Sequence, residues 1–222
     1  PVKEQMMAWW GPVIWETYGG MEGAATIAKP RAWLKKPGTV GRAVRGVQLV
    51  ILDDDGNELP PGEVGDIYLD NGVGFKYHDD PDQTDSVHKG RRFSLGDVGY
   101  LDDDGYLFID GRAKDMIITG GTNVYPAEIE GVLLDHPSVH DVAVIGIPDP
   151  DWGETIAAVV QLVSGVDWGD GVRDELIAHC KGRLGSYKIP RRWVAQDDLA
   201  RTEAGKLYKR KLRDQLLAAG VL

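Results

Sequence analysis

Cysteine is almost absent from this sequence: Cys180 stands alone among 222 residues. A single thiol excludes an intrachain disulfide framework and any zinc centre built on several cysteines, and it suits a reducing compartment. Set within "GVRDELIAHCKGRLG", Cys180 reads as an inert helix residue that packs as a small hydrophobe. Positive charge is also scarce, with 25 Lys and Arg against 35 Asp and Glu and a formal net charge of −10. Phosphate-rich partners are drawn by a broad positive field, so this balance disfavours a general nucleic-acid or membrane-surface binder. Long apolar runs are missing too. No stretch approaches the roughly 18 apolar residues that read as a membrane span, and the opening "PVKEQMMAWWGPV" has no signal-peptide pattern. The expectation is a soluble, cytoplasmic protein. The histidines at 78, 88, 136, 140 and 179 show no metal-ligand spacing, Ser94 lacks the G-x-S-x-G elbow, and G-x-G-x-x-G is absent.

What is present suits one large or two ordinary globular domains: 42% hydrophobic residues, 27% charged residues and 29 glycines. Residues 3 to 10 read as a short helix ending at Gly11, and "VIWETYGG" as a strand running into a glycine turn. From residue 38 to residue 110 the pattern is strand and turn throughout. Two hairpins are expected there, turning at Asp55–Gly56 and at Asp104–Gly105, with "GNELPPGEVG" and "DPDQTD" as loops. The two "DDDG" stretches lack the ligand spacing of a calcium loop and read as solvated turns. After "GRAKD", residues 111 to 115, strands and helices alternate as in a small α/β domain. The fold class is thus mixed: a β-rich part over residues 1–111, a junction at 112–114, and a small α/β domain over 115–222.

Taken singly, the stretches that could carry chemistry are ambiguous. "TYGGMEG" is a glycine turn bearing one carboxylate, Glu22, suited to phosphates and magnesium or simply to turning the chain. Asp97 in "FSLGDVGY" could accept from ribose hydroxyls or sit solvated at the surface, with Arg112 a hairpin further on. "ITGGTNVYPAEIE" pairs two glycines before a helix start, for close approach to a ligand or for a tight turn. "RTEAGKLYKRKLR" places six basic residues among thirteen near the end of an acidic chain.

The order of the pieces is more specific than any one of them. "YGGMEG", "PGTVGRAV", "GEVGDIYL", "FSLGDVGYLDDDGYLFIDGRAKDMIITGGTNVYPAEIE", "HPSVHDVAVIGIPDPDWGE" and "RTEAGKLYKRKLR" follow one another from about residue 13 to residue 213. In this order they resemble the acyl- and aryl-CoA synthetases of the adenylate-forming superfamily. The resemblance implies a carboxylic acid substrate, fatty, aryl or sterol-side-chain in kind. It implies ATP converted to AMP, Mg2+ and coenzyme A, with acyl-AMP as the intermediate.

Carried over residue by residue, the resemblance has Tyr18 stack on adenine beside Gly19, and Glu22 ligate magnesium. Asp97 and Arg112 hold the ribose hydroxyls, and Lys206 reaches the α-phosphate and the substrate carboxylate. Lys114 is the hinge of a C-terminal lid, and Gly120, Gly121 and Thr122 line the channel for pantetheine. Lys209, Arg210, Lys211 and Arg213 are left to a solvated helix face. The chain departs from the family pattern where Met21 stands in place of the usual Thr or Ser before the glutamate, since a thioether cannot donate to a phosphate. Ala200 stands where a proline is often found. The family's glycine-rich phosphate loop and most of its acyl pocket lie upstream of "YGG", only seventeen residues into this chain. Residues 1–111 are therefore expected to be the end of a large domain and 115–222 a complete lid, the chain alone being inactive without the N-terminal part of the same enzyme. A homodimer is compatible with this reading. The alternatives are a non-catalytic binding or interaction module and an adenylating ligase that uses a carrier-protein acceptor.

Overall fold

Glycine and proline punctuation divides the chain into two β-sheets that share no strand. A computed structural model describes residues 2–199, 201 and 207–222. Two compact units result, Pro1–Ala113 and Lys114–Leu222.

The first unit runs α1 (Val2–Trp10), β1 (Glu16–Gly20), β2 (Gly23–Ala28), α2 (Pro30–Lys35), β3 (Thr39–Ala43), β4 (Gln48–Leu52), β5 (Gly65–Asp70), α3 (Pro81–Val87), β6 (His88–Lys89), β7 (Arg92–Leu101) and β8 (Leu107–Arg112). Its sheet has the order β1-β2-β3-β8-β7-β5-β4, with β6 on β7, and every pairing is antiparallel. Ala25, Ile51, Ile67, Leu69, Phe93 and Leu107 form its core. Both expected hairpin turns are present, and their acids do more than meet solvent. Asp53 Oδ1 accepts from the Asn57 amide at 2.7 Å, and Asp102 Oδ1 accepts from the Tyr106 amide at 2.9 Å. Asp102 also bonds the Lys36 ammonium, so this turn is pinned to the end of α2.

Two local expectations need correction. "DPDQTD" is the start of a helix, α3, rather than a loop: Asp80 caps it by accepting from the Gln83 amide at 2.9 Å, and Pro81 occupies its first turn. Only Thr84 of α3 is buried, so no apolar period marks the helix in the sequence. Gly19 and Gly20 belong to strand β1, with the turn displaced to Met21 and Glu22.

The second unit begins with a 3-10 turn, Ala113–Asp115, of which it contains Lys114 and Asp115. It continues with β9 (Ile117–Thr119), β10 (Thr122–Val124), α4 (Pro126–Leu134), β11 (Val139–Asp149), β12 (Gly153–Leu162), α5 (Asp170–Lys181), a 3-10 turn (Ser186–Lys188), β13 (Arg192–Ala195) and α6 (Lys209–Ala218). The sheet order is β10-β9-β12-β11, with β13 parallel to β12. The unbroken apolar runs of β11 and β12 are explained by cover on both faces. Val142, Val144, Ile156, Ala158 and Val160 join Ile129 and Leu133 of α4 and Leu176 of α5. Their alternating neighbours Ala143, Ile145, Ala157 and Val159 join Leu212 and Leu216 of α6.

Cys180 is buried in the first of these clusters, and burial pushes its thiol up to about 11, as suits an inert residue. Lys209, expected on a solvated face, is instead paired with Glu130 of α4 at 2.7 Å, each side chain 16% accessible. Glu130 also accepts from the Val144 amide at 2.7 Å, which ties α4, α6 and the central strands together. Among the described residues no helix is long and apolar enough to cross a membrane.

Candidate functional site

In the first unit the structure gathers three of the expected residues. Strand pairing sets Asp97 of β7 directly opposite Arg112 at the end of β8, and Arg112 Nε lies 3.0 Å from Asp97 Oδ1. Tyr18 comes from β1, four strand spacings from β7 along the sheet order, about 19 Å in a flat sheet. Its hydroxyl nevertheless donates to Asp97 Oδ2 at 2.8 Å, so the sheet curls until its first strand faces its interior. A bulge aims Asp97 at this point. Asp66 and Tyr68 of β5 pair with Val98 and Ser94 of β7, which leaves extra β7 residues around a left-handed Gly96, φ 79°.

Asp97 is buried, and both its oxygens are bonded. Burial is the largest cause, followed by the charge and hydrogen bond of Asp97, that drives the Tyr18 phenol far above its ordinary range. Tyr18 is thereby fixed as a donor. The trio forms a rigid polar edge beside an aromatic ring.

Glu22 lies on the β1–β2 turn, two residues past Gly20. Its Oε1 accepts from the Tyr77 hydroxyl at 2.8 Å, and its main-chain carbonyl accepts from Asn71 Nδ2 at 3.3 Å. Oε2 is folded over Gly20, where a Cβ would stand 2.3 Å from it. Gly19 is held as closely: a Cβ there would meet the Gly23 carbonyl at 2.6 Å. Met21 projects fully into solvent.

In the second unit, β9 and β10 are joined by a two-residue turn with Gly120 at φ 57° and Gly121 at φ 76°, both in the left-handed region. The Gly120 amide donates to the Trp152 carbonyl at 2.9 Å, and a Cβ on Gly120 would meet the Trp152 ring at 2.6 Å. The Arg191 guanidinium lies 4.4 Å from the centre of the same ring. Thr122 and Lys114 are exposed, Lys114 being the first residue of this unit. Lys206 lies outside the described residues.

Family models match both halves of the chain: AMP-binding enzyme over residues 1–75, and AMP-binding enzyme C-terminal domain over residues 128–206. The chain belongs to the AMP-binding enzymes. It is 38% identical to a long-chain-fatty-acid–CoA ligase of Mycobacterium tuberculosis, over 88% of this chain and 38% of that protein. The o-succinylbenzoate CoA synthetase of Bacillus subtilis, solved with its acyl-adenylate intermediate, superposes with a TM-score of 0.86 at 33% identity, over 97% of this chain and 43% of that one. The same synthetase solved with ATP and magnesium ion gives a TM-score of 0.86 at 32% identity, over 96% and 44%. The chain therefore spans about two fifths of the length of these relatives. The expected strand-rich α/β class agrees with these neighbours.

For an AMP-binding enzyme, the donor set around Glu22 suits magnesium. Mg2+ keeps several waters and is held by one or two carboxylates together with substrate phosphates. Glu22 offers Oε2 while Oε1 is occupied by a phenol, and no group of three or more His, Cys, Asp or Glu among the described residues could hold a metal ion alone.

Sequence reasoning missed Tyr77, Trp152 and the Glu130–Lys209 pair. Trp152 lay inside a quoted stretch, "DPDWGE". Tyr77 carries no local signal, because its contact spans 55 residues.

Proposed function

We propose that this chain supplies part of the active site of an AMP-forming acyl-CoA synthetase. In the first half-reaction a carboxylate oxygen attacks the α-phosphorus of ATP, the bond to pyrophosphate breaks, and acyl-AMP and pyrophosphate form. In the second, the coenzyme A thiol gives up its proton to solvent, its sulfur attacks the acyl carbonyl, and AMP leaves with the electrons of the broken acyl–phosphate bond.

The Tyr18 ring stacks on adenine while its hydroxyl keeps Asp97 oriented. Asp97 accepts from the ribose hydroxyls, with Arg112 holding its charge in place. Glu22 and the phosphates hold magnesium, which neutralises charge that would repel an anionic nucleophile. Lys206 sets an ammonium between the α-phosphate and the incoming carboxylate, where a preorganised charge acts most strongly. Gly120, Gly121 and Thr122 form a wall along which a pantetheine arm slides, glycine leaving room for it. Lys114 is the hinge at which the C-terminal domain, residues 115–222, turns between the half-reactions, a gating motion.

The acid is a fatty, aryl or sterol-side-chain acid. The phosphate loop and acyl pocket belong to a polypeptide matching the rest of the relatives' length. Trp9, Trp10, Val13 and Trp15, all more than half exposed, support a surface that such a polypeptide covers.

The observation that supports this reading most is Asp97, buried and gripped from both sides by Tyr18 and Arg112. Pyrophosphate exchange by the full-length enzyme across a panel of carboxylic acids tests it. Acid-dependent exchange of label into ATP is expected. Exchange with no acid on the panel, by an enzyme that binds ATP, would count against it.

A further inference from the structure

The Glu22 carboxylate is oriented by two features that the sequence does not advertise: the Tyr77 hydroxyl on Oε1, and the space over Gly20 into which Oε2 folds. Tyr77 is itself anchored. Its amide donates to Thr84 Oγ1 at 3.0 Å, and Thr84 is held to Asp80 at the cap of α3. Its ring meets Phe75 edge-on at 5.3 Å, and Phe75 packs in the same way on the core residue Phe93 at 4.8 Å. A chain of contacts thus runs from the core, and from the cap of a helix that looked like a loop, to one carboxylate oxygen. Burial, then the bond to Glu22, raises the Tyr77 phenol, which keeps it a donor at neutral pH.

A carboxylate on a turn rotates freely unless something fixes it, and a ligand whose shell is partly supplied by phosphates demands the oxygen in one place. We infer that Tyr77 is a positioning residue for the metal–nucleotide complex: it clamps Oε1 of Glu22 so that Oε2 points to the cation that accompanies the ATP phosphates. This rests on the reading of Glu22 as a magnesium ligand. Gly20 is its counterpart, since any side chain there drives Oε2 out of the clamped position. The helix α3 is then part of the site's support, through Asp80 and Thr84.

The test measures binding rather than turnover. In the full-length enzyme without acid substrate, equilibrium dialysis gives the affinity for ATP with Mn2+ and for ATP in chelator, and their ratio reports the metal's contribution. Tyr77→Phe keeps the ring and loses the donor, and it is expected to lower that ratio by about three- to tenfold, the span of one ordinary net hydrogen bond. Metal-free ATP affinity should move far less, which separates positioning from general damage to the fold. Gly20→Ala displaces the same carboxylate by an independent route and should lower the ratio as well, and the double variant should lose little beyond the worse single one. If Tyr77→Phe does not fold, Gly20→Ala carries the test, and a wild-type ratio there overturns the proposal. A folded Tyr77→Phe with a wild-type ratio also overturns it. Glu22→Gln distinguishes the two layers. If it abolishes the metal's contribution while Tyr77→Phe does not, the clamp is wrong and the magnesium reading stands; if Glu22→Gln retains that contribution, the magnesium reading itself fails.

Discussion

In the first unit the candidate residues are side chains that hold one another. Tyr18 and Arg112 both bond Asp97, and Tyr77 bonds Glu22. In the second unit the described candidates are backbone and exposed side chains: Gly120 and Gly121 form a turn, and Thr122 and Lys114 are exposed. The contrast matches two kinds of task. In the proposed reading a nucleotide of fixed shape meets carboxylates already oriented by protein partners, with acceptor capacity left for the ligand, so little is lost in ordering them on binding. In the same reading a flexible arm passes the Gly120–Gly121 turn, where the missing side chains leave room for close approach.

This difference predicts unequal sensitivities. Asp97→Ala should be the most damaging change among the described candidates. It strips the acceptor from a half-buried phenol and the partner from Arg112, for a cost of about 2–3 kcal/mol. A lowered urea midpoint together with weakened ATP binding is expected, and a neutral result would dissolve the idea of a braced edge. Gly120→Ala comes next. It combines a left-handed backbone with a Cβ 2.6 Å from the Trp152 ring, which together cost about 2 kcal/mol. Gly121→Ala has the backbone cost alone, about 1 kcal/mol, because no atom lies within 4 Å of its added Cβ. Equal midpoints for the two alanine variants would show that Trp152 yields to the methyl group. The smallest effect is assigned to Met21→Thr. Met21 is fully exposed, so stability should not change, while a hydroxyl beside Glu22 should speed adenylation by about two- to tenfold, one modest hydrogen bond.

The sequence revealed elements whose cause is local. The Asp55–Gly56 and Asp104–Gly105 turns, Pro126 at the start of α4, and the doubly covered strands β11 and β12 follow from turn chemistry and apolar pattern. The order of motifs nominated Tyr18, Glu22, Asp97 and Arg112 as candidates, though it did not indicate that a bulge and a curled sheet bring three of them into contact. The sequence concealed what depends on partners distant in the chain. α3 is polar with a single buried residue, so its cap and proline outweighed an absent period. Gly19 and Gly20 resemble a turn in composition, yet the close approach of Gly23 and Glu22 places them in a strand. Lys209 looked solvated because its partner, Glu130, comes from a helix almost eighty residues earlier.

The central claim, that the second unit serves adenylation through Lys206 and thioester formation through the Gly120–Gly121–Thr122 turn, is tested most directly by Lys206→Ala in the full-length enzyme with each half-reaction measured separately. Acyl-adenylate formation should fall by roughly 100- to 1000-fold, the usual loss on removing a preorganised charge from a transition state. Thioester formation from supplied acyl-adenylate and coenzyme A should fall far less. An equal loss in both half-reactions would contradict the account.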